Sequence, residues 1–492
     1  MSLINVKNLT FCYEGSCDNV FENVSFRIDT DWKLGFTGRN GRGKTTFLNL
    51  LMGKYPYSGT IHANVDFEYF PYKVNDTSQY ALDVMKSTCP TVDDWELIRE
   101  VSLLDADAEI LYRPFDTLSS GEKTKVLLAA LFMGENKFLL IDEPTNHLDV
   151  SAREAVGKYL RRKKGFILVS HDRALLDLCV DHILSINKTN IEIQQGNFSS
   201  WQRNKQLRDD FELSENARLK KEINRLSQAA KRTASWSEKV EKTKNGTKNS
   251  GLRPDKGYIG HKSAKIMQRA KNQENRMLAA AEEKSGLLCN IEKSDSLKLI
   301  MAVYPKSTII NAADLSLYYG DTLVCSNVTF KIEQGDRLAV VGKNGSGKST
   351  LLKLLCGENI KHEGFLKIGS NLKISYVSQD TSFLKGSLSK YAENFGIEES
   401  LMKSMLRKLG FERSQFEKNI EEFSEGQKKK VLIARSLCEQ AHLYIWDEPL
   451  NFIDVISRIQ IEDLILKYQP TMIFVEHDIA FRNNIATAAI EI

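Results

Sequence analysis

Two short segments of the chain carry residue types that bind phosphate. Residues 38–46 read GRNGRGKTT and residues 342–350 read GKNGSGKST, so in each a glycine and four further residues precede Gly-Lys and a hydroxyl residue. Glycines let backbone N–H groups wrap a phosphate at a helix N-terminus, where the helix dipole favours anions. The lysines would neutralise phosphate charge, and the following hydroxyls can ligate Mg²⁺. The two segments predict two phosphate-binding loops.

A pair of carboxylates follows an apolar strand pattern at two other places. FLLIDEP contains Asp142 and Glu143, and LYIWDEP contains Asp447 and Glu448. An aspartate at such a strand end can hold Mg²⁺, directly or through water, and a glutamate one step further can polarise the attacking water. We therefore interpret the two aspartates as metal contacts and the two glutamates as catalytic bases.

Two histidines recur in one context. His171 lies in ILVSHDR and His477 in IFVEHDI, each after a strand pattern and before an aspartate. A lone histidine at such a place is more often structural. A catalytic contact between these side chains and a terminal phosphate is therefore predicted only because the pattern occurs twice.

All these landmarks belong to a tandem duplication. The two copies of each landmark lie about 305 positions apart and in one order, as do LTFCYEG at Leu9 and LSLYYG at Leu315. Each phosphate-binding loop follows a short strand pattern and precedes a helical one, which is the context that the motif requires. The sequence predicts two tandem α/β nucleotide-binding domains, which we place at residues 1–197 and 301–492.

Composition limits the class of protein. The chain has 492 residues, 42% of them hydrophobic and 27% charged, which is ordinary for globular proteins of two or more domains. No apolar run is long enough to span a membrane, and the first residues lack a secretory signal pattern. The eight cysteines form no Cys-x-x-Cys pair, so neither a zinc site nor a disulfide framework is predicted. We expect a cytoplasmic protein without a membrane domain.

Together the motifs resemble the ATP-binding-cassette ATPases, and the resemblance covers nearly all of both halves. LSSGE (118–122) and FSEGQ (423–427) are similar to the family's signature loop, although both depart from its commonest form, Leu-Ser-Gly-Gly-Gln. In this family two cassettes pack head to tail and close on ATP and Mg²⁺. The resemblance implies that this chain is a monomer with intramolecular cassette pairing. Its two composite sites would be Lys44 and Glu143 opposite Ser424, and Lys348 and Glu448 opposite Ser119.

The resemblance also implies individual nucleotide contacts. Tyr13 and Tyr319 fall where the family stacks an aromatic ring on adenine, although an ordinary strand-edge tyrosine is the alternative. Asp149 and Asp454 match the loop that couples the two sites. The other implied nucleotide contacts are Gly38, Asn40, Gly41, Gly43, Lys44, Thr45, Thr46, Ser119 and Gly121 in the first half, and Gly342, Asn344, Gly345, Gly347, Lys348, Ser349, Thr350, Ser424 and Gly426 in the second.

One position departs from the family pattern. The family usually places a glutamine after the strand that follows the phosphate-binding loop, where it contacts Mg²⁺ and water. ISYVSQD supplies Gln379 in the second half, whereas FEYFPYK has Tyr72 at the matching place. Because tyrosine is a poor Mg²⁺ ligand, we expect the two sites to be unequal.

The segment between the two halves is basic. Residues 201–290 contain 21 lysines and arginines against 11 acidic residues, and 231–270 contain 11 against 3, although the whole chain carries only +4. Helical apolar stripes flank residues 245–260, whose glycines and proline break a helix. The pattern predicts two antiparallel helices within 198–300, the first of about 45 residues, joined by a basic loop. A run of charged residues is usually a solvent-exposed face. Here, however, the positive charge is concentrated at one end of a hairpin, which favours binding to a polyanion.

Paired cassettes and a helical linker without a membrane domain resemble the F-type subfamily of these ATPases. EYFPY, DEPTNHLD and DKGYIGHKSAK are similar to its antibiotic-resistance branch of Lsa and Vga type. The distance from phosphate-loop lysine to signature serine is 75 residues in the first half and 76 in the second, so the extra arm of some housekeeping members is not expected. Only 15 residues follow His477, so no C-terminal extension is expected either.

The F-type resemblance implies a partner and a role. The partner would be the 70S ribosome, with contacts to rRNA and to tRNA in the P site. The role would be protection of the peptidyl-transferase centre from lincosamide, pleuromutilin and streptogramin A antibiotics. At the linker tip, Arg253, Lys256 and Tyr258 lie among glycines and could approach RNA closely, with Tyr258 able to stack on a splayed base.

Three other functional classes share some of these sequence features. A housekeeping F-type translation factor would share every motif described above. The energy subunit of a membrane exporter would seldom carry a basic hairpin of 90 residues. A DNA-associated coiled-coil ATPase would need a hook motif and a longer coil than this chain offers.

Overall fold

The computed structural model describes residues 2–14, 19–134, 137–146, 148–187, 190–242, 297–320, 322–343 and 345–492, with short stretches between 257 and 276. The chain divides into two compact units, Met1–Trp201 with Ser294–Ile492, and Gln202–Lys293. No helix in these described ranges is long and apolar enough to cross a membrane. The first unit contains both halves of the duplication.

In the described part of the first half, nine strands form two sheets. The strands are β1 (Leu3–Phe11), β2 (Phe21–Asp29), β3 (Lys33–Thr37), β4 (Ser58–His62), β5 (Asp66–Phe70), β6 (Lys137–Asp142), β7 (Phe166–Val169), β8 (His182–Asn187) and β9 (Asn190–Gln195). An antiparallel sheet has the order β2-β1-β4, and a larger sheet has the order β5-β6-β7-β3-β8-β9. Only β8 and β9 run antiparallel in the larger sheet, so its other four junctions are parallel.

Helices connect these strands and build a second lobe. They are α1 (Lys44–Leu51), α2 (Ala81–Thr88), α3 (Asp94–Leu103), α4 (Ser120–Leu131), α5 (Val150–Arg162) and α6 (Arg173–Cys179). Helices α2, α3 and α4 lie between β5 and β6 in the sequence and pack around one apolar cluster with one face of the larger sheet. The next helix, α7 (Phe198–Lys242), has 45 residues, which confirms the length expected for the first linker helix.

The second half repeats this plan. Its strands are β10 (Thr308–Tyr319), β11 (Thr322–Glu333), β12 (Arg337–Val341), β13 (His362–Ile368), β14 (Ile374–Val377), β15 (Leu443–Asp447), β16 (Met472–Val475) and β17 (Ala488–Glu491). Its helices are α8 (Lys348–Leu355), α9 (Leu388–Asn394), α10 (Glu399–Lys408), α11 (Glu425–Cys438), α12 (Val455–Tyr468) and α13 (Ile479–Ile485). The sheet orders are β11-β10-β13 and β14-β15-β16-β12-β17, the latter wholly parallel.

Each of the two larger sheets has a central strand that is buried along its whole length. In β7 and β16 every residue is buried, and both read as uninterrupted apolar runs, FILV and MIFV. Parallel sheets covered on both faces favour such runs over alternating patterns. The expected α/β fold with two tandem cassettes and a helical linker is confirmed.

The two halves share part of their core. Val455, at the start of α12, is 2% exposed and belongs to the apolar cluster of the first half. Ile459, one turn later, packs against the same cluster. The first unit is therefore a joined pair of cassettes and not two separate ones.

Candidate active sites

Both phosphate-binding loops end in a glycine that no other residue can replace without strain. Gly43 and Gly347 precede α1 and α8 with φ angles of 88° and 98°, in the left-handed region. A Cβ atom would lie 2.5 Å from Val20 Cγ1 at the first position and 2.6 Å from Val324 Cγ1 at the second. No side chain caps either helix, so the N–H groups of its first turn can face an anion.

The loop lysines fold back over their own loops. Lys44 Nζ donates to the Gly38 carbonyl at 2.7 Å and to Asn40 Oδ1 at 3.2 Å, and Lys348 Nζ donates to the Gly342 carbonyl at 3.0 Å. Burial lowers the pKa of both ammonium groups, while neighbouring carboxylates oppose that shift. A phosphate beside these lysines would favour their charged forms. The turn residues Gly41 and Gly345 also have positive φ angles, as expected of an anion-binding loop.

In the first half, the carboxylate at the end of β6 accepts two hydroxyl hydrogen bonds. Asp142 Oδ2 accepts from Thr45 Oγ1 at 3.1 Å and from Tyr69 Oη at 2.9 Å. Glu143 Oε1 is buried and lies 3.4 Å from His171 Nε2 without forming a hydrogen bond. Burial, together with the charge of Asp142, raises the pKa of Glu143 to about 8, and burial lowers the pKa of His171.

In the second half, the equivalent glutamate has more partners. Glu448 Oε2 accepts from Gln379 Nε2 at 2.9 Å and from Asn451 Nδ2 at 2.6 Å, and His477 Nε2 lies 3.3 Å from Oε1. Burial raises the pKa of Glu448, but the hydrogen bond with His477 and nearby positive charges outweigh it, so the pKa is lowered. Lys429 Nζ also donates a hydrogen bond to the backbone carbonyl of Glu448, at 3.2 Å.

The donor sets suit Mg²⁺ held partly by a substrate. Asp447 is 1% exposed, and its Oδ1 atom has no hydrogen-bond partner, while Ser349 hydrogen-bonds the same carboxylate. The Thr45–Asp142 pair offers the same chemistry in the first half. No group of three metal-binding side chains occurs among the described residues, so an ion would need phosphate oxygens and water as further ligands. Mg²⁺ is commonly bound in that way.

Both glutamates occupy a strained backbone conformation. Glu143 has a φ angle of 49° and Glu448 one of 46°, which non-glycine residues rarely adopt. A hydrogen bond fixes each backbone: Glu143 N–H donates to the Val169 carbonyl at 2.8 Å, and Glu448 N–H donates to the Val475 carbonyl at 3.0 Å. The neighbouring strand therefore sets the direction of each carboxylate, as is common at functional sites.

The signature segments cap helices. Ser119 Oγ accepts from Glu122 N–H at 3.2 Å, while Glu122 Oε2 accepts from Ser119 N–H at 2.7 Å, and Ser424 and Gln427 repeat this arrangement. Such reciprocal capping boxes explain why α4 and α11 begin where they do.

The second signature glycine, Gly426, lies against the phosphate-binding loop of the first half. A Cβ atom at Gly426 would lie 3.1 Å from Asn40 Nδ2, and that amide donates across the two halves to the Phe452 carbonyl at 2.7 Å. Among the described residues, a Cβ atom at Gly121 would lie near Leu148 Cδ2, at 3.4 Å. The structure thus brings together the first loop and the second signature segment. In the second loop the residue equivalent to Asn40 is Asn344, which lies outside the described residues.

A cavity of about 310 Å³ marks the second site. It is lined by side chains of both halves, including Lys348, Ser349, Thr350, Gln379, Glu448 and His477 of the second half and Leu148 and Arg153 of the first. Ser119 is not part of this lining. The first half contributes instead through the residues that flank Asp149.

The structure describes both predicted adenine contacts, Tyr13 and Tyr319, but not the predicted contacts at the linker tip. Tyr13 Oη lies 2.5 Å from Thr46 Oγ1, and its ring contacts Phe11 and Tyr55 edge-on. Tyr319 is 79% exposed at the end of β10, and its role as an adenine contact stays a prediction. The remaining predicted contacts, Asn344, Arg253, Lys256 and Tyr258, lie outside the described residues.

Strand register places Tyr72 and Gln379 at equivalent positions. Phe70 pairs with Ile141 and Val377 with Trp446, each one residue before the strand-end aspartate. Unlike Gln379, however, Tyr72 packs against the apolar cluster of its own half, and burial raises its pKa to about 12. The hydroxyl that reaches Asp142 belongs to Tyr69, which sequence reasoning missed. The sequence feature that could have indicated Tyr69 is a tyrosine at the same motif position in both halves, in FEYF and ISYV.

Two nucleotide-binding α/β domains, each with a phosphate-binding loop, a strand-end Asp-Glu pair and a following histidine, define a paired-cassette ATPase. The ABC transporter family model matches residues 21–146 and 325–451, just over half of the chain. The chain therefore belongs to the ABC transporter family, and it is an ATPase of that family. ATPases of this kind use ATP with Mg²⁺.

Relatives named as ribosome protection, drug-resistance and ATP-binding proteins match nearly all of this chain. The ribosome protection protein VmlR of Bacillus subtilis is 27% identical over 474 residues, covering 95% of this chain and 82% of the relative. The erythromycin resistance ATP-binding protein MsrA of Staphylococcus epidermidis is 28% identical over 468 residues, covering 92% and 90%. The ATP-binding protein Uup of Buchnera aphidicola is 28% identical over 519 residues, covering 99% and 80%. These relatives support the F-type resemblance.

Solved structures agree on the fold. A crystal structure of the archaeal ribosome recycling factor aABCE1 with the stalk protein aP1 matches 98% of this chain and 87% of that chain, with a TM-score of 0.63 and 19% identity. A structure of RNase-L Inhibitor matches 99% and 87%, with a TM-score of 0.61 and 19% identity. At this level of identity the match establishes the paired-cassette fold alone.

Proposed function

We propose that this chain is an F-type ATPase of the Lsa and Vga type that binds the 70S ribosome. There it protects the peptidyl-transferase centre from lincosamide, pleuromutilin and streptogramin A antibiotics. The observation that carries the proposal is similarity, over 95% of the chain, to a relative named as a ribosome protection protein. A second relative, similar over 92% of the chain, is named for erythromycin resistance.

Within each proposed ATP site, this chain's own residues have distinct roles. Lys44 and Lys348 bind the terminal phosphates, and Glu143 and Glu448 orient and deprotonate the attacking water. His171 and His477 contact the terminal phosphate from beside those glutamates. The hydroxyl–carboxylate pairs that contain Asp142 and Asp447 hold Mg²⁺, which neutralises phosphate charge when bound.

The linker supplies the proposed RNA contact. Phosphate neutralisation by its lysines and arginines would give ribosome binding that is insensitive to base sequence and weakened by salt. The tip residues Arg253, Lys256 and Tyr258 then approach rRNA near the drug site, beside tRNA in the P site. We propose domain boundaries of 1–197, 198–300 and 301–492 for this monomer.

A housekeeping F-type translation factor is the second candidate. The observation in its favour is the similarity to Uup over 99% of the chain, since Uup is named only as an ATP-binding protein. Both candidates bind ribosomes and hydrolyse ATP. Drug protection is the property that separates them.

Expression of the chain in a drug-susceptible host tests the choice. We expect the inhibitory concentrations of a lincosamide and a pleuromutilin to rise several-fold, whereas the Glu143→Gln, Glu448→Gln double variant gives no protection. Sedimentation of that variant with ribosomes in the presence of ATP should show stable association, because the amide keeps the site's shape but cannot act as a base. Ribosome association without any rise in drug tolerance would decide for the housekeeping factor.

A further inference from the structure

One buried arginine joins the two halves beside the candidate active sites. Arg173 is the first residue of α6 and follows His171 and Asp172 directly; it is 8% exposed. Its Nη2 atom donates to Glu462 Oε2 of the second half at 2.7 Å. The same nitrogen lies 3.7 Å from Asp478 Oδ2, also in the second half. The guanidinium therefore lies between two carboxylates of the opposite cassette.

One of these carboxylates, Asp478, belongs to the segment that carries His477 of the second active site. Asp478 follows His477, caps α13 through Phe481 N–H at 3.0 Å, and accepts from Arg458 Nη1 at 3.2 Å. Arg458 Nε donates in turn to the Ile453 carbonyl at 2.9 Å, immediately before Asp454. A continuous set of charged contacts thus runs from the histidine segment of the first half to the histidine and aspartate segments of the second.

Glu462 also accepts a hydrogen bond from its own half. It is 7% exposed, and its Oε1 atom accepts from Asn484 Nδ2 of α13 at 2.5 Å. Both oxygens of the carboxylate are therefore engaged, one by its own half and one by Arg173. A carboxylate held in this way fixes the direction of the arginine side chain that it binds.

The reverse contact cannot form. The duplication places Ile479 where the first half has Arg173, and Gly157 where the second half has Glu462. A Cβ atom at Gly157 would lie 2.6 Å from Leu178 Cδ2, so any side chain at this position would require Leu178 to shift. By contrast, the intra-cassette pair is kept in both halves, with Arg153 3.3 Å from Asp172 and Arg458 3.2 Å from Asp478. The bridge between the halves is therefore one-sided.

We propose that Arg173 is a positioning residue that couples the two ATP sites, by holding the His171 segment of the first half against the His477 segment of the second. When the halves move apart, this guanidinium loses both carboxylates and Glu462 loses its cationic partner, whereas Asp478 keeps Arg458. Closing one site therefore favours the paired arrangement of the other. The inference rests on the proposed assignment of the ATP sites and is independent of the ribosome.

The test uses purified full-length protein and two readouts. The first is the dependence of ATPase rate on ATP concentration, which gives kcat, KM and the Hill coefficient. The second is a double-mutant cycle between Arg173→Met and Glu448→Gln. With Arg173 present, we expect Glu448→Gln to change ATP turnover at the first site. With Arg173→Met, we expect this change to be smaller by about fivefold or more. A factor of about five is the lower end of typical allosteric couplings.

Conservative and matched variants separate coupling from structural support. Arg173→Lys keeps a charge between the carboxylates and should restore part of the coupling. Lys158→Met on α5 is the control, because this exposed side chain makes only a surface pair with Glu154 at 2.7 Å. It should leave kcat, KM and the Hill coefficient unchanged. If Arg173→Met folds poorly, the Arg173→Met, Glu462→Met double variant removes the unpaired charge and should fold while still lacking coupling.

The outcomes are distinguishable. Additive effects of Arg173→Met and Glu448→Gln, or a wild-type Hill coefficient kept in the folded Arg173→Met, Glu462→Met variant, would overturn the coupling role and leave the ATP sites intact. If Glu143→Gln with Glu448→Gln hydrolyses ATP at the wild-type rate, the site assignment itself fails. Loss of coupling in Arg173→Met with partial return in Arg173→Lys supports the proposal.

Discussion

Glu143 and Glu448 hold equivalent positions in two copies of one motif, yet their surroundings differ. Glu448 accepts hydrogen bonds from Gln379 and Asn451, and its pKa is lowered. Glu143 has a buried oxygen without a hydrogen bond, and its pKa is raised to about 8. Because hydrogen bonds from Gln379 and Asn451 favour the charged form of Glu448 and fix its direction, Glu448 is the better placed of the two to act as a base.

We therefore expect unequal losses from the single substitutions. Glu448→Gln should lower ATP turnover by about 10²-fold, within the usual contribution of a general base, and Glu143→Gln should lower it by clearly less. Steady-state phosphate release measures both. Glu154→Gln, on an exposed helix face, serves as a control and should match the wild type. Equal losses from the two substitutions would show that the different partners have no consequence.

A buried ion pair gives a second prediction for single residues. Asp454 is fully buried and accepts from Lys430 Nζ at 2.6 Å and from Ser457 N–H at 2.9 Å. Removing one partner of such a pair leaves a buried charge, so Asp454→Asn should destabilise the protein by about 3–5 kcal/mol. The control Lys403→Gln removes an exposed pair with Glu399 and should cost less than about 1 kcal/mol. Denaturant unfolding at pH 7 compares them.

The same pair predicts the direction of a pH effect. Burial raises the pKa of Asp454, but Lys430 outweighs it and holds the pKa well below its ordinary value of 3.8. A lowered folded-state pKa means that the pair stabilises the protein above about pH 4 and that this contribution is lost as the pH falls further. The stability difference between wild type and Asp454→Asn should thus shrink below about pH 4. A constant difference down to about pH 2 would contradict the assignment.

Among the elements, α8 shows how a helix end becomes a binding site. Gly347 precedes it and Gly357 lies just after it, with φ angles of 98° and 93°. A Cβ atom at Gly347 would be crowded by Val324, whereas one at Gly357 would have nothing within 4 Å. Both positions require a left-handed backbone, but only the first also requires the absence of a side chain.

Alanine at these two positions should therefore have different effects. Gly357→Ala adds only the left-handed strain, about 1–2 kcal/mol. Gly347→Ala adds a clash with Val324 worth about 1–3 kcal/mol more, and it should also remove ATP binding at the second site. Thermal unfolding and titration with a fluorescent ATP analogue measure the two effects. Full ATP binding by Gly347→Ala would mean that the loop can shift to accept a Cβ atom.

Sequence patterns predict best the elements that depend on residues close to one another in the chain. The strands before Asp142 and Asp447 and the capping boxes at Ser119 and Ser424 are local, so their residue order alone indicates them. The contact of Tyr69 with Asp142 is not local, since it depends on the pairing of two strands separated by 73 positions. The bridge from Arg173 to Glu462 spans 289 positions and has no counterpart in the other half, so no repeat pointed to it.

At the scale of the whole molecule, the paired cassettes and the basic linker make separable contributions. Residues 1–201 and 294–492 form one compact unit, to which residues 202–293 do not belong. The excess of positive charge lies in residues 231–270. We therefore expect that ATP hydrolysis and the proposed RNA contact can be disturbed independently.

Deletion of residues 252–260 tests that separation. ATPase activity and the unfolding temperature should stay within the error of the wild type, because neither cassette contributes residues there. Drug protection should be lost, while ribosome association weakens only moderately, since most basic residues remain. Sedimentation with ribosomes over a series of salt concentrations, together with drug susceptibility, measures both. A deleted protein that still raises lincosamide tolerance would show that the tip is only a connector.

The shared core of the two cassettes has a consequence for biosynthesis. Val455 completes an apolar cluster whose other buried members lie between positions 70 and 201. At about 5–20 residues per second, a ribosome needs on the order of 10–50 s to add the chain between Trp201 and Val455. Throughout that interval the nascent first cassette exposes an apolar surface that its own sequence cannot cover. Truncation before α12 should therefore leave this part of the cluster exposed to solvent.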